Sequence, residues 1–341
     1  MAITSGVGPH FAWIVVDGGT FPIEHGSVEQ QSVRKSSTFS AAIPMSFPGA
    51  LSTFAFLGDN TTSILVSTKG VTGTLVTGEI DDIDFDLIGR TIRVSGRDKA
   101  AKLHENMSSE KWQNKKGSDI VSDLVGRLGI GVDAATSSLL AGKLLQQDYV
   151  RLSDNISFAS VIHKLAELDG AKWWVDNMGM FHYAMLGSTE GSYSLFCTDL
   201  NGHINSDCLG LRIKRNIPAG KSIQVSVKSW HPKDKSKHEY TSNVEGNGGP
   251  LSYNYHIPNL KQDHVQQHAK SRANEVARHE LRLSASIVGD PTINVAMALT
   301  LTGTGYWDQT YEMDTIHHEF GMSGHRTNIT ARSAKDGRSA S

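Results

Sequence analysis

Cysteine is scarce: Cys197 and Cys208 are the only two in 341 residues. Two thiols cannot build the disulfide framework of a small secreted domain. They read as free thiols of a reducing compartment, and the fold must rest on ordinary burial. Long apolar runs are missing as well. None approaches the roughly 18–20 residues of a membrane helix. The run Phe11-Ala12-Trp13-Ile14-Val15-Val16 has no basic flank and no small-residue cleavage site, so it reads as a strand. There is no excess charge of one sign. Lys and Arg number 33 against 35 Asp and Glu, a net charge of −2, which disfavours a protein that coats nucleic acid. Motifs of catalysis are equally thin. Gly321-Met322-Ser323-Gly324 lacks the glycine two positions after the serine of a nucleophile elbow. Gly303-Thr304-Gly305 has no third glycine of a dinucleotide fingerprint, and no Gly-Lys-Ser/Thr phosphate loop exists.

What the chain does have is period two. From Ile83 the apolar residues Ile83, Phe85 and Leu87 alternate with Asp82, Asp84 and Asp86. Ile92 and Val94 alternate with Thr91, Arg93 and Ser95. Such alternation means strands with one buried face. Turn residues divide them, among them Asp17-Gly18-Gly19, Gly58-Asp59-Asn60, Gly70 and Gly89. With 33 glycines, short strands at this spacing suggest barrels or sandwiches. The texture changes near residue 98. Ile120, Val121, Leu124, Val125 and Leu128 fall at helical spacing, with Ser118 as a cap and Gly129 as a left-handed stop. A second helix runs from Ser157 to Leu168 and ends at Gly170. Lys172–Asp176 and Met180–Tyr183 then flank Asn177-Met178-Gly179 as a hairpin.

Period two returns in Ile223, Val225 and Val227. The charged stretch from Trp230 to Pro250 reads as a mobile loop. Residues 261–281 read as a helix whose face, Val265, Ala269, Ala273, Val276, Ala277 and Leu281, is mostly alanine, so its partner must come close. Ile293, Val295, Met297, Leu299 and Leu301 predict a five-step strand face, and Thr310–Met313 and Thr327–Thr330 two more strands. The reading is mainly β with an α/β insertion. Its domains are 1–98, 99–205, 206–333 with the helix 261–281, and a frayed tail 334–341.

Fifteen histidines raise the question of a metal. His264 and His268 share a helix face, yet the Glu that a zincin carries after its first histidine is absent, and solvated helix histidines are favoured. His317 and His318 point to opposite sides of a strand and cannot easily share an ion. With His325 they read as strand-edge residues titrating near pH 6–7. Asp82, Asp84 and Asp86 read as a solvated strand face rather than a glycosidase pair. Lys228, Lys233, Lys235, Lys237 and His238 read as a solvated hairpin tip rather than an anionic-partner surface. No catalytic, metal or cofactor residues are assigned. Trp173 and Trp174 are adjacent, and one of them facing outward would be an interface anchor; a hairpin buried on both sides fits as well.

Several segments together resemble one family. Val94-Ser95-Gly96-Arg97-Asp98, followed by Ala100, Ala101 and Leu103, resembles the Gly-Arg-Asp signature of phage tail hub proteins, the late control protein D family. Leu165-Ala166-Glu167-Leu168-Asp169-Gly170 leading into Trp173-Trp174-Val175-Asp176 is similar to that family's helix and aromatic strand. Val76-Thr77-Gly78-Glu79-Ile80-Asp81 resembles an upstream strand, and Gly303, Gly305 and Tyr311–His318 resemble the C-terminal one. The likeness covers roughly 70–185 and 290–332. The first 60 residues match only in texture, and Asp290-Pro291 stands where the family has Pro-Gly.

The resemblance implies two tail-tube-like β-barrel domains flanking a small α/β module, related to type VI secretion spike hubs. It implies a structural virion protein of the tail baseplate, assembled in the bacterial host cytoplasm. Three copies would form a ring adapting the sixfold tail tube to the threefold spike. The implied partners are itself as a homotrimer, the tail tube protein, the central spike protein, and baseplate wedge or tail-tip proteins. DNA would only pass through the lumen, and the chain would not insert into a membrane. Gly96, Arg97 and Asp98 are expected as structural junction residues, with Gly96 permitting a tight turn and Arg97 or Asp98 tying loop backbone. Trp173, Trp174, Ala269 and Ala273 are possible interface residues, the alanines against a neighbouring barrel. The competing readings are a cell-wall hydrolase, which peptidoglycan turnover would reveal, and another tail accessory protein.

Overall fold

A computed structural model of the chain describes residues 10–32, 35–110, 112, 115–135, 156–231, 236–258, 260–322 and 324–334. Seven strands and one short helix come first: β1 (His10–Val16), β2 (Gly19–Pro22), β3 (His25–Gln31), β4 (Thr38–Pro44), α1 (Ala50–Ala55), β5 (Thr62–Thr68), β6 (Val71–Asp86) and β7 (Thr91–Asp98). Alternation places Ile14, Ile43, Ile64, Val66, Leu75 and Ile92 wholly inside one apolar core. Strand β6 breaks its own period. Ile80 and Ile83 are three apart, yet both pack on this core. The β6–β7 ladder slips between Ile80 and Asp82, so Asp81 is the extra residue of a β-bulge that restores the parity.

The module that follows holds α2 (Ala100–Glu105), β8 (Met107–Ser108), α3 (Gly117–Gly126), β9 (Val132–Ala134), β10 (Ile156–Ser157), α4 (Phe158–Asp169), β11 (Ala171–Val175) and β12 (Phe181–Met185). Its signals are local and clear. The Ser157 hydroxyl accepts the Ser160 N–H at the start of α4, and Gly170 closes the helix at φ 66°. Asp176 Oδ1 accepts the N–H groups of Met178 and Met180, and Gly179 at φ 81° completes the hairpin turn. Helix α3 starts at Gly117, so Ser118 sits inside its first turn rather than at the cap position. The chain then turns through Leu128 to Gly129 at φ 69°.

The rest comprises β13 (Ser192–Leu200), β14 (His203–Ser206), β15 (Cys208–Arg215), β16 (Ile223–His231), β17 (Ser236–Val244), β18 (Leu251–His256), α5 (Gln262–Arg278), β19 (Leu281–Val288), β20 (Ala298–Thr302), β21 (Gln309–Gly321) and β22 (Gly324–Ser333). Strands β13 to β15, β19 and β20 to β22 surround a second apolar core containing Leu283, Leu299, Tyr311, Met313 and Ile316. β13 and β14, read from sequence as part of the insertion, are hydrogen-bonded into this sheet. Strands β16 to β18 form a separate three-stranded sheet under α5, with Val225 and Val227 against its alanines. Most of the described stretch after Trp230 is therefore an antiparallel hairpin and not the loop expected: Ser229 to His231 pair with Ser236 to His238, and only 245–250 lie outside strands.

A further expectation fails between 290 and 297. Only Ala298–Thr302 is strand. Asp290 Oδ1 accepts the Thr292 N–H and Asn294 Oδ1 accepts the Ala296 N–H. These local side-chain bonds replace the ladder, although Ile293 and Val295 are still buried.

The two β cores share a strand. One edge of β21 pairs first with β20, over Gln309–Glu312, and then with β3, over Thr315–Gly321. Its other edge pairs with β22. The handover falls at Asp314, an extra residue in the β21–β22 ladder, whose carboxylate takes Arg332 Nε at 2.7 Å. One sheet of 14 strands thus runs through both halves of the chain.

Candidate functional site

The Gly96-Arg97-Asp98 segment closes β7, where the first sheet hands the chain to the module. Gly96 makes no turn. It stands mid-sheet between Phe39 and Ile80, and a Cβ there would lie 2.1 Å from the Glu79 carbonyl oxygen and 2.5 Å from the Phe39 ring. Close approach, not a turn, requires glycine. Arg97 binds side chains rather than loop backbone. Its guanidinium donates to both oxygens of the bulged Asp81, at 2.6 and 2.8 Å, and to Glu105 of α2 at 2.7 Å. These bonds raise its pKa further. Asp98 is the residue that ties backbone. It is buried, Oδ2 accepts the Ser37 N–H at 2.8 Å, and Oδ1 accepts the Ala100 N–H at 3.0 Å. Burial outweighs these bonds and pushes its pKa up to about 6. The three residues join sheet, bulge and helix α2 within this chain.

The two tryptophans are both buried, on opposite faces of β11. Trp173 lies in the module core, stacked on Phe181. Trp174 lies in the second β core. Neither is an exposed anchor; the hairpin is clamped between two cores of its own chain. The His182 ring stacks on Trp174 at an interplanar angle of 7°. His182 also faces three carboxylates: Asp176 at 3.0 Å, Glu190 at 3.1 Å and Asp133 at 3.3 Å. The Asp176 bond leads in raising its pKa. Beside it, buried Lys172 donates to Glu312 Oε1 of β21 at 2.7 Å, and buried Arg278 of α5 donates to Oε2 at 3.0 Å. Burial alone would raise the Glu312 pKa, but the two cations bring it below the ordinary carboxylate value. The triad ties the module, α5 and the shared strand together. Removing one member of such a group leaves an uncompensated buried charge, at a cost of about 3–5 kcal/mol.

Ala269 and Ala273 are wholly buried, packed on the β16–β18 sheet of the same chain rather than on a neighbour. His264 and His268 are buried too, not solvated, and burial lowers both pKa values. His318 and His325 also differ from the strand-edge residues expected. Strand β21 is interior, and both rings are buried with His318 Nδ1 3.1 Å from His325 Nε2. Thr68 Oγ1 holds His325 Nδ1 at 2.8 Å, and Thr327 Oγ1 holds His318 Nδ1 at 3.1 Å. Burial and mutual proximity drive His318 well below its ordinary value, and burial takes His325 down to about 4. Sequence reasoning missed the pairing because it depends on β22 lying beside β21.

Asp82 and Asp84 are solvent-exposed. Lys228 and Lys237 converge on Glu239 at 3.0 and 2.8 Å, while Lys233 and Lys235 lie outside the described residues. Cys197 and Cys208 are free and half-buried. Among the described residues, no group of three or more His, Cys, Asp or Glu could hold a metal ion, and no helix is long and apolar enough to cross a membrane.

No protein-family model and no curated protein matches the chain in sequence. Solved structures match it in fold. The 43 kDa tail protein of prophage MuSo2 from Shewanella oneidensis superposes with a TM-score of 0.66 at 15% identity, covering 96% of this chain and 98% of that one. A tail protein from Neisseria meningitidis MC58 gives 0.68 at 14% identity, covering 96% and 97%. The E. coli c3393 protein, a component of the type VI secretion system similar in structure to the T4 bacteriophage tail proteins gp27 and gp5, gives 0.55 at 9% identity, covering 96% and 79%. Mostly β, with an α/β insertion and nearly full-length superposition, this chain has the fold of phage tail proteins and of type VI secretion spike-related proteins.

Proposed function

We propose that the protein is a structural component of a phage or phage-like tail, a hub in which three copies form a ring between tail tube and spike. The observation that carries this reading is the shared strand β21. It welds two β units of one chain into a single sheet, so three chains would present six β units around an axis, a match to a sixfold tube on one side and a threefold spike on the other. We take the first unit as residues up to 98, the module as 99–186, and the second unit as 187–333, because β13 and β14 pair with the second sheet. The partners are then further copies of this chain, the tube protein, the spike and neighbouring baseplate or tail-tip proteins. The site of action is the virion tail, with assembly in the host cytoplasm and DNA only passing through the lumen. The role is non-enzymatic, in keeping with side chains that knit elements together rather than converge on a reacting centre.

Light scattering tests this directly. A chain of 37.0 kDa forming the ring has a mass of about 111 kDa, alone or with its tail neighbours present. A monomer that persists with every tail partner added would overturn the reading.

A further inference from the structure

Two long edges of the 14-stranded sheet are open, and they differ in charge. Strand β6 pairs with β5 only as far as Gly78. Asn60 Oδ1 then accepts the Ile80 N–H, and from there to Asp86 the strand is bonded on one side only, to β7. Strand β15 is likewise bonded on one side only, to β19. Among the described residues no strand is hydrogen-bonded to either open edge. Unpaired N–H and C=O groups along such an edge are a template for a further strand.

The side chains of the two edges match on both faces. Along β6, Asp82 and Asp84 are exposed, while Ile83 and Phe85 are half-buried at the rim of the first core. Along β15, Arg212 and Lys214 are exposed, while Leu211 and Ile213 are half-buried at the rim of the second core. Asp82, Arg212 and Lys214 have no ionic partner among the described residues. Asp84 has only Arg93 at 3.8 Å, with both side chains more than half exposed, a contact of little worth. Each edge also runs into exposed apolar residues. Leu87 and Ile88, at the β6–β7 turn, are 71% and 98% exposed, and Leu209 and Ile217 flank the basic stretch of β15. Two copies meeting through β6 would set carboxylate against carboxylate, and two meeting through β15 cation against cation. β6 against β15 sets unlike charges opposite one another, which stabilises a strand pair. Because side chains alternate, the same pairing lays Ile83 and Phe85 beside Leu211 and Ile213.

We propose that the acidic edge of β6 in one copy pairs with the basic edge of β15 in the next, so that copies join head to tail and not about a twofold axis. A head-to-tail contact closes into a ring when its rotation divides a full turn. The charges give the contact its polarity: each copy offers one acidic and one basic edge, and like edges reject each other. The proposal rests on the hub reading in that copies of this chain assemble; it adds which surfaces meet and in which sense.

Sedimentation and light scattering of the full chain over a range of concentrations, alone and with its tail neighbours, test the pairing by charge exchange. Asp82→Lys with Asp84→Lys makes both edges basic, and Arg212→Glu with Lys214→Glu makes both acidic. All four positions are exposed, so the thermal midpoint of the separated chains should not move. Each double variant should weaken assembly about tenfold or more, since like charges directly opposite are destabilising. The quadruple variant, with the charges exchanged, should restore it. Asp84→Cys combined with Arg212→Cys, in a background of Cys197→Ser and Cys208→Ser, should be linked between copies by a short bismaleimide, and neither cysteine alone should be; if a charge variant does not fold, this arm decides the matter. Assembly that both double variants leave intact, a quadruple variant that stays dissociated, or an absence of cross-links in an assembled ring overturns the edge pairing and leaves the hub reading standing. A chain that stays monomeric with every tail partner present overturns both.

Discussion

At Gly96 the neighbouring strands approach so closely that no side chain fits, whereas Arg97 beside it reaches out to carboxylates that water also reaches. The two adjacent residues should therefore respond very differently to alanine. Gly96→Ala forces a carbonyl and an aromatic ring apart and should cost about 1–3 kcal/mol or more. Arg97→Ala removes a network that is 38% exposed on the arginine side and should cost about 1 kcal/mol or less. Urea unfolding of both variants checks the contrast, and equal losses would refute it. Asp98 and His325 set opposite pH dependences. Asp98 titrates at about 6 when folded against an ordinary 3.8, so its stability is complete below about pH 4 and is lost as pH rises through 6. His325 titrates at about 4 when folded against an ordinary 6.5. Its stability is complete above about pH 6.5 and is lost as pH falls through 4, and His318 acts in the same direction. The Asp98 and His325 effects are each at most on the order of 3 kcal/mol. The gain in unfolding free energy between pH 4.5 and pH 7 should therefore grow in Asp98→Asn and shrink in His325→Gln, as urea titrations at the two pH values would show.

Helix α5 owes its closeness to alanine. Ala269 and Ala273 let it lie low on β16 and β17, whose valines fill the gap. Ala273→Leu should overpack this layer and cost about 1–3 kcal/mol. Because the layer belongs to one chain, the loss should not depend on protein concentration, which thermal unfolding over a hundredfold dilution would test. Elements of this kind were legible in the sequence where their signals are local: the helix start near Ser157, the Gly170 stop, the Asn177-Met178-Gly179 turn and the 3–4 spacing of α5. The bulge at Asp81 was hidden, although the three-residue step from Ile80 to Ile83 marks it in retrospect. Ile293–Met297 misled, because alternation is the same in a strand and in a run of Asx-type turns, and only the Asp290 and Asn294 side chains tell them apart. The hairpin after Trp230 was obscured by charge, since an exposed strand face carries the same residues as a loop.

Across the whole molecule, what escaped the sequence is what depends on distant pairing. The order of strands through β21, the bond between Thr68 and His325, and the meeting of Lys172, Arg278 and Glu312 join segments from 34 to more than 250 residues apart. Nothing in local periodicity records such distances; the ordered family-like segments conveyed the architecture instead. The shared strand predicts one cooperative event. Calorimetry should show a single transition for both β cores, and two resolved transitions would contradict it. It also has a mechanical consequence. Pulling the two halves apart along β21 would load the rungs of its ladders in shear, where many hydrogen bonds must break at once, rather than peel them singly. A particle that transmits a sudden axial thrust through such a subunit would find it stiff along the strand, with the first give expected where β21 changes neighbours at Asp314.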